Sequence, residues 1–363
     1  MQKKYKVFII AGEESGDFLG SRIAQELKKI IPNLELYGIG GKKMESENVN
    51  LIENISNLSV VGLFEVFSHL YYILKTIKKV KNFLVKNKPD FVILIDFPDF
   101  NFRIAKFSKK IGLKVYYFVS PQVWAWRRGR VKFLKKYVDK MYVIFPFEED
   151  FYKEYGINVK FVGHPLTEKI KPVLNFEENT IGILPGSRKI EVKRHLPIIV
   201  SAVNLLNKKF KNLKFLLPVA ENIDKSIIEG FVKTVPNIEI YDGKSLEVIK
   251  KSKIIISTSG TATLESALMG RPVIIIYRVN FFSYIIGRLL IKVPYIGMPN
   301  LLLGEKVNPE LIQYNLTPFN IYLETVKFLK NKEKYNFVVK KNLSLYPLLY
   351  KEEIFSFVKD FLS

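Results

Sequence analysis

Asp96 and Asp99 flank a proline in the string Asp96-Phe97-Pro98-Asp99-Phe100-Asn101, directly after the apolar run 91–95. A carboxylate at the tip of a buried strand is placed to act as a general base, and apolar neighbours such as Phe97 and Phe100 raise its pKa toward neutrality. The two aspartates compete for that role, the other capping the next helix. Three apart across a proline, they make poor metal geometry. A second candidate string is Leu184-Pro185-Gly186-Ser187-Arg188, whose backbone amides and guanidinium suit a diphosphate. His195 in the helix beyond it reads as a surface or satisfied histidine. The most specific string is Ser257-Thr258-Ser259-Gly260-Thr261-Ala262-Thr263-Leu264-Glu265-Ser266-Ala267. Its hydroxyls and glycine can hold phosphate oxygens at a helix N-terminus, Ser259, Gly260, Thr261 and Thr263 foremost, while Glu265 can accept from ribose hydroxyls. It is not a G-x-x-x-x-G-K-[ST] loop.

Two further strings are less specific. Ala11-Gly12-Glu13-Glu14-Ser15-Gly16-Asp17 follows the first apolar run. Its three acids repel pyrophosphate, so Glu13 and Ser15 suit an acceptor sugar, and Asp17 reads as the cap of a helix from about residue 18. Ser120-Pro121-Gln122-Val123-Trp124-Ala125-Trp126-Arg127-Arg128-Gly129-Arg130 holds both tryptophans. Three readings fit it: a basic-aromatic nucleic-acid surface, a membrane-interface element, or a packed loop lining a cleft.

Strands must carry these loops. Apolar runs at 6–11, 35–39, 91–96, 114–119, 140–144 and 160–162 alternate with helix-length segments. A second series follows at 180–184, 214–218, 238–241, 253–257 and 272–277. Runs apolar on both faces belong in parallel sheets covered by helices, and the alternation predicts βαβ units. Ligands of open α/β sheets bind beyond the carboxyl ends of strands, where every string above falls. The pattern breaks over 166–179, read as a linker between domains 1–165 and 180–345, with a C-terminal helix at 346–363 packing near the junction.

The 363 residues suit two domains, and 48% hydrophobic content excludes disorder. The absence of cysteine excludes disulfides, thiolate metal sites and a cysteine nucleophile, and three scattered histidines argue against a metal site. Neither a signal peptide nor a membrane span is evident. The net charge of +22 has two open origins: a general lysine excess (47 of the 57 basic residues are Lys), or an anionic partner. Residues 101–140 carry 12 Lys and Arg against one acid, half the excess in one segment.

Taken together, these strings resemble the lipid-A-disaccharide synthase family of GT-B glycosyltransferases. Gly38-Ile39-Gly40-Gly41, Gly163-His164-Pro165, Glu191-Val192 and Pro299-Asn300-Leu301-Leu302-Leu303-Gly304 complete the set, in family order from residue 7 to about 304. The resemblance implies two doubly wound parallel-sheet, Rossmann-like α/β domains facing a central cleft. It implies inverting transfer of 2,3-diacylglucosamine from its UDP derivative to the 6-hydroxyl of 2,3-diacylglucosamine 1-phosphate, without metal or other cofactor. Asp96 then falls at the position of the family's catalytic base, with Asp99 its structural partner and Glu13 orienting the acceptor. Gly186, Ser187 and Arg188 neutralise the diphosphate with the 259–263 turn, Glu265 holds the ribose, and Asn300 closes the donor site.

Substrates with acyl chains imply a protein that collects them at the cytoplasmic face of the inner membrane of a Gram-negative bacterium. Val61, Leu63, Phe64 and Phe67, flanked by Lys75, Lys78 and Lys79, are candidate acyl or membrane contacts, as are Trp124, Trp126 and Arg127. The alternative reading of 60–74 is an ordinary core helix. Oligomeric state is open. The rival functions are another GT-B UDP-sugar enzyme (a UDP-N-acetylglucosamine 2-epimerase or a peptidoglycan glycosyltransferase) and nucleic-acid binding, for which no recognition module is present.

Overall fold

In the computed structural model, residues 4–57, 66–220, 223–233, 235, 237–291 and 293–362 are described. Val61, Leu63 and Phe64, and the side chain of Phe67, lie outside them.

The chain forms two compact units, Met1–His164 with Lys351–Ser363, and Pro165–Tyr350. The first holds strands β1 (Tyr5–Ala11), β2 (Leu34–Gly40), β3 (Asn50–Asn54), β4 (Phe91–Ile95), β5 (Lys114–Phe118), β6 (Lys140–Val143) and β7 (Val159–Phe161). Helices α1 (Glu14–Ile30), α2 (Lys42–Ser46), α3 (Val66–Asn87), α4 (Pro98–Lys110), α5 (Val131–Tyr137) and α6 (Pro146–Glu154) connect them. The sheet is parallel, in the order β3-β2-β1-β4-β5-β6-β7. All five residues of β4 are buried, as in a strand covered on both faces.

In the second unit the short helix α7 (Leu166–Lys169) precedes β8 (Glu177–Leu184), α8 (Lys189–Lys209), β9 (Lys214–Val219), α9 (Lys225–Val232), β10 (Ile238–Asp242), α10 (Ser245–Lys251) and β11 (Ser252–Thr258). Then come α11 (Thr261–Leu268), β12 (Val273–Tyr277), α12 (Phe281–Leu290), α13 (Met298–Leu303), β13 (Glu310–Ile312), α14 (Pro318–Lys330), α15 (Lys332–Leu343) and α16 (Leu345–Leu349). This sheet is also parallel, in the order β10-β9-β8-β11-β12-β13. Buried Arg271 ties its lower edge, donating to the carbonyls of Asn175, Ile249 and Lys250 and lying over the Phe176 ring.

Each sheet reverses its strand order once, between β1 and β4 and between β8 and β11. Such a reversal splays the loops on either side and opens a crevice at the carboxyl ends. The first crevice is bounded by the loops after Ala11 and Ile95, which are register partners, and the second by those after Leu184 and Ser257, likewise paired. Four of the five candidate strings therefore lie at the two reversals.

Two expectations about organisation change. Residues 166–179 belong to the second unit instead of standing apart, with α7 packed into it and β8 starting at Glu177. Residues 346–363 are not one helix: α16 ends at Leu349, and a 3-10 helix, Ile354–Phe361, returns to the first unit. The cause is aromatic packing. Phe357 stacks on Tyr142 and Phe361 on Tyr116, each at 4.4 Å between ring centres, and Asp360 pairs with Lys140 at 2.7 Å and Lys160 at 3.1 Å.

Candidate functional site

At the first crevice, Asp96 and Phe97 both adopt left-handed backbone conformations, with φ of 44° and 48°. Two consecutive non-glycine residues of this kind are strained and persist only where the surroundings hold them. The Asp96 carbonyl accepts from the Tyr117 hydroxyl at 2.6 Å and from Asn101 Nδ2 at 2.7 Å. Both donors are buried. Pro98 then occupies the first turn of α4, where its missing N–H costs nothing. The Phe97 ring lies against Gly12: a Cβ built there would meet it at 2.2 Å. The glycine's lack of a side chain is thus what lets the β1 and β4 loops close on each other.

Burial, and secondarily the charge of Glu13, raises the Asp96 pKa to about 6. Asp99 lies in different surroundings. Its side chain is exposed and pairs with Arg130 at 2.8 Å. Of the two competing aspartates, only Asp96 has the environment of a general base. Glu13 and Ser15 are exposed at the start of α1.

Asp17 does not cap its own helix, which begins earlier than expected, at Glu14. Its buried carboxylate instead accepts from the amides of Gly41 (2.6 Å), Lys43 (3.0 Å) and Met44 (3.0 Å). It therefore ties the string 11–17 to the glycine turn 38–41 and neutralises the orphan amides of α2.

The tryptophan loop divides. Trp124 is buried, its indole N–H donating at 2.9 Å to Glu148, which also accepts from Ser120 Oγ at 2.5 Å and the Phe145 amide at 3.1 Å. Trp124 also meets the Phe147 ring edge-on at 4.8 Å. The expectation that it contacts lipid is corrected: a buried indole wants one acceptor, and Glu148 supplies it. Trp126 is half-buried under the Arg127 guanidinium, 4.1 Å from its ring centre, and Arg127 is exposed.

At the second crevice, Gly186 has φ of 124° and faces Glu191 so closely that a Cβ would clash at 2.6 Å. Glu191 Oε2 accepts from the amides of Ser187 (3.2 Å) and Arg188 (3.3 Å), and the exposed Arg188 side chain pairs with its other oxygen. The amides expected to cradle a diphosphate thus already hold a carboxylate, the anion such a helix start prefers. Ser259 Oγ donates to the Ile296 carbonyl at 2.9 Å and Thr263 Oγ1 to that of Gly260 at 2.7 Å, so these hydroxyls shape the turn. Gly260 and Thr261 are exposed at the start of α11. Burial raises the pKa of Glu265, opposed by the charge of Lys169.

His195 joins three loops of this crevice. Its Nε2 accepts from the Arg278 amide at 3.1 Å, so the neutral ring carries its proton on Nδ1 and donates to the Pro185 carbonyl, also at 3.1 Å. Thr258 Oγ1 stands 3.2 Å from Nδ1. Burial lowers its pKa, keeping it neutral. It is a satisfied structural histidine. The Arg278 guanidinium in turn donates to the carbonyls of Gln313 and Leu316.

Asn300 requires a correction. It is fully buried: Nδ2 donates to the Asn308 carbonyl (2.7 Å) and to Glu310 (2.9 Å), and Oδ1 accepts from the Asn308 amide (2.8 Å). With all its polar atoms engaged it anchors the segment before β13 and does not offer itself to a donor. Among the described residues, no group of three or more His, Asp or Glu is placed to hold a metal ion, and no helix is long and apolar enough to cross a membrane.

The family model described as lipid-A-disaccharide synthetase matches residues 7–353. The chain belongs to this family. A lipid-A-disaccharide synthase from Nitrosococcus oceani is 41% identical over 341 residues, covering 90% of this chain and 88% of the relative. Among solved structures, UDP-GlcNAc 2-epimerase from Neisseria meningitidis bound to UDP-GlcNAc superposes with a TM-score of 0.61 at 13% identity, over 98% of this chain and 97% of that one. MurG from Acinetobacter baumannii gives 0.59 at 11% identity, over 99% of each chain. At such identities these two share the GT-B fold alone. In this member of the lipid-A-disaccharide synthetase family, the residues that sequence reasoning overlooked are Tyr117, Asn101 and Glu148. Asn101 stood inside a quoted string, and the Pro146–Glu148 spacing marks a helix start. No local signal connects Glu148 to Trp124 or Tyr117 to Asp96. Exposed Phe281 and Ile285 of α12 were overlooked as well.

Proposed function

We propose that this chain transfers 2,3-diacylglucosamine from its UDP derivative to 2,3-diacylglucosamine 1-phosphate, giving the β(1→6) disaccharide 1-phosphate and UDP. The family match across residues 7–353 carries this reading, and it separates the chain from the epimerase and peptidoglycan enzymes that share only its fold. The acceptor 6-hydroxyl attacks the anomeric carbon from the face opposite the leaving diphosphate. Its C–O bond forms as the bond to UDP breaks, inverting the centre, and the hydroxyl proton passes to Asp96. A carboxylate with a pKa of about 6 is ionised near neutral pH yet more basic than an exposed one, which suits a general base. Glu13 orients the acceptor.

In the second unit the exposed amides of Gly260 and Thr261 and the Arg188 guanidinium hold the diphosphate, the Ser187 and Arg188 amides joining them once Glu191 swings aside. Glu265 holds the ribose. The substrates are drawn from the cytoplasmic face of the inner membrane, where exposed Tyr71 and Leu74 on α3 support contact with acyl chains.

The test is turnover of purified protein with both diacylglucosamine substrates, followed by mass spectrometry. Disaccharide 1-phosphate with UDP release that requires the acceptor is expected; UDP release without acceptor, or epimerised donor, would sink the reading.

A further inference from the structure

Helices α3 and α4 enclose a groove of about 450 Å³ on the first unit. Its sides are Lys78 and Lys81 from α3 and Arg103, Lys106 and Lys110 from α4. The floor is apolar, formed by Ile77 and Phe107, with Leu74 at the rim. On each helix the lining residues recur at i, i+3, i+4 and i+7, the spacing of a single helical face. Two like faces have therefore been brought together, each carrying cations beside apolar carbon.

Like charges three and four apart destabilise a helix, by a few tenths of a kcal/mol per pair. Neighbouring lysines on the same helices are relieved by carboxylates, Lys79 by Glu53 at 3.2 Å and Lys109 by Asp139 at 2.6 Å. Among the described residues, none of the five groove cations has a carboxylate partner, and Lys81 Nζ instead lies 5.2 Å from the centre of the Phe107 ring. Pairing alone does not single out the groove, since Lys75 and Lys86 on α3 also lack a carboxylate among the described residues; what does is that five cations converge around one apolar floor. The groove is also remote from the reaction. α4 leads away from Asp96, and its lining residues lie about 8 to 18 Å along the axis from the first turn.

We infer that this groove is an accessory site for the phosphate headgroup of an anionic bilayer phospholipid, with the first carbons of its chains over Ile77 and Phe107. The inference rests on the reading that the substrates are collected from a bilayer. A free phosphate would leave the apolar floor unused, whereas an amphiphile matches both surfaces. Exposed Leu74 at the rim and Tyr71, one turn earlier on α3, continue the apolar path outward. The site would hold the enzyme against the membrane without occupying the crevice.

The test is flotation of the purified full chain with phosphatidylcholine vesicles, with or without phosphatidylglycerol. Lys78→Glu combined with Arg103→Glu is compared with Lys86→Glu combined with Lys114→Glu, an equal charge change at exposed positions outside the groove. The groove pair is expected to lower partitioning onto phosphatidylglycerol vesicles about tenfold or more, and the control pair less than twofold. Equal losses in both pairs, or no loss in the groove pair, would overturn the site. Release of wild-type protein by millimolar inorganic phosphate at constant ionic strength would assign the groove to free phosphate and overturn the lipid. Lys78→Gln with Arg103→Gln gives the same comparison should charge reversal impair folding. Turnover on detergent-dispersed substrates separates this inference from the functional reading. The groove variants should match wild type there, and a wild type inactive there would fail the function while leaving the vesicle result to stand.

Discussion

The Tyr117 hydroxyl donates at 2.6 Å to the main-chain carbonyl of Asp96, from the strand next to the one Asp96 ends. The bond acts on the backbone and does not engage the carboxylate. Together with Asn101 it holds a left-handed pair that would otherwise relax. Tyr117→Phe and Asn101→Ala should each lower kcat by about tenfold or more, since small misplacements of a base are costly, while KM for the UDP donor stays within about twofold. A rise in donor KM with unchanged kcat would show that neither residue positions Asp96.

Asp96→Asn should lose at least about 10²-fold in turnover while gaining stability. The folded carboxyl has its pKa raised from 3.8 to about 6, so between those values the folded state binds more protons than the unfolded one. Stability therefore falls as pH rises through that window and stays reduced above it. At about 1.36 kcal/mol per pH unit, the penalty near neutral pH is about 3 kcal/mol. Denaturation at pH 8 should find Asp96→Asn more stable than wild type, with the advantage gone at pH 4. Wild-type kcat should rise with pH through about 6; a flat profile would exclude Asp96 as base.

Gly12→Ala places a methyl group inside the Phe97 ring. Overpacking of this kind costs about 1 to 3 kcal/mol, and the displaced ring adjoins Asp96. Both the melting temperature and turnover should fall. A double variant with Phe97→Leu should regain part of the stability, because the clash is with the ring.

Much of this arrangement was legible in the sequence, because central parallel strands and glycine turns have local signatures. Residues 91–95 and 273–277 read as strands at once, being apolar on both faces. The two strands missed, β3 and β13, are sheet edges. Asn50–Asn54 is polar and half-exposed, and Glu310–Ile312 is three residues long, so neither carries the pattern of a doubly covered strand. The site was legible in position but not in wiring. Asn300 stood in a family string and proved to be an anchor; Trp124 looked like a membrane residue because its acceptor lies 24 positions later. Contacts made across the sheet leave no trace in residue spacing.

Glu148 is buried beneath the Trp124 indole, and burial pushes its pKa to about 7 despite three donors. Intrinsic tryptophan fluorescence should titrate with a midpoint near pH 7 and lose that transition in Glu148→Gln. Because the folded pKa is raised, stability should decline from about pH 4.5 to 7 for this group. Fluorescence indifferent to pH in the wild type would count against a titrating Glu148.

Arg188→Ala should raise KM for the UDP donor about tenfold, since a hydrogen bond from a charged group contributes about 1.5 to 3 kcal/mol. Isothermal titration with UDP measures the same loss directly. Unchanged affinity would remove Arg188 from the diphosphate site.

The return of residues 351–363 to the first unit makes the second unit, in chain terms, an insertion within the first. Synthesis then delivers the pieces in a particular sequence. The aromatic side chains that cover Tyr116 and Tyr142 emerge from the ribosome only after all of Pro165–Tyr350 has been made. At about 5 to 20 residues per second, that leaves a tyrosine-rich face of the nascent first unit uncovered for roughly 10 to 40 seconds.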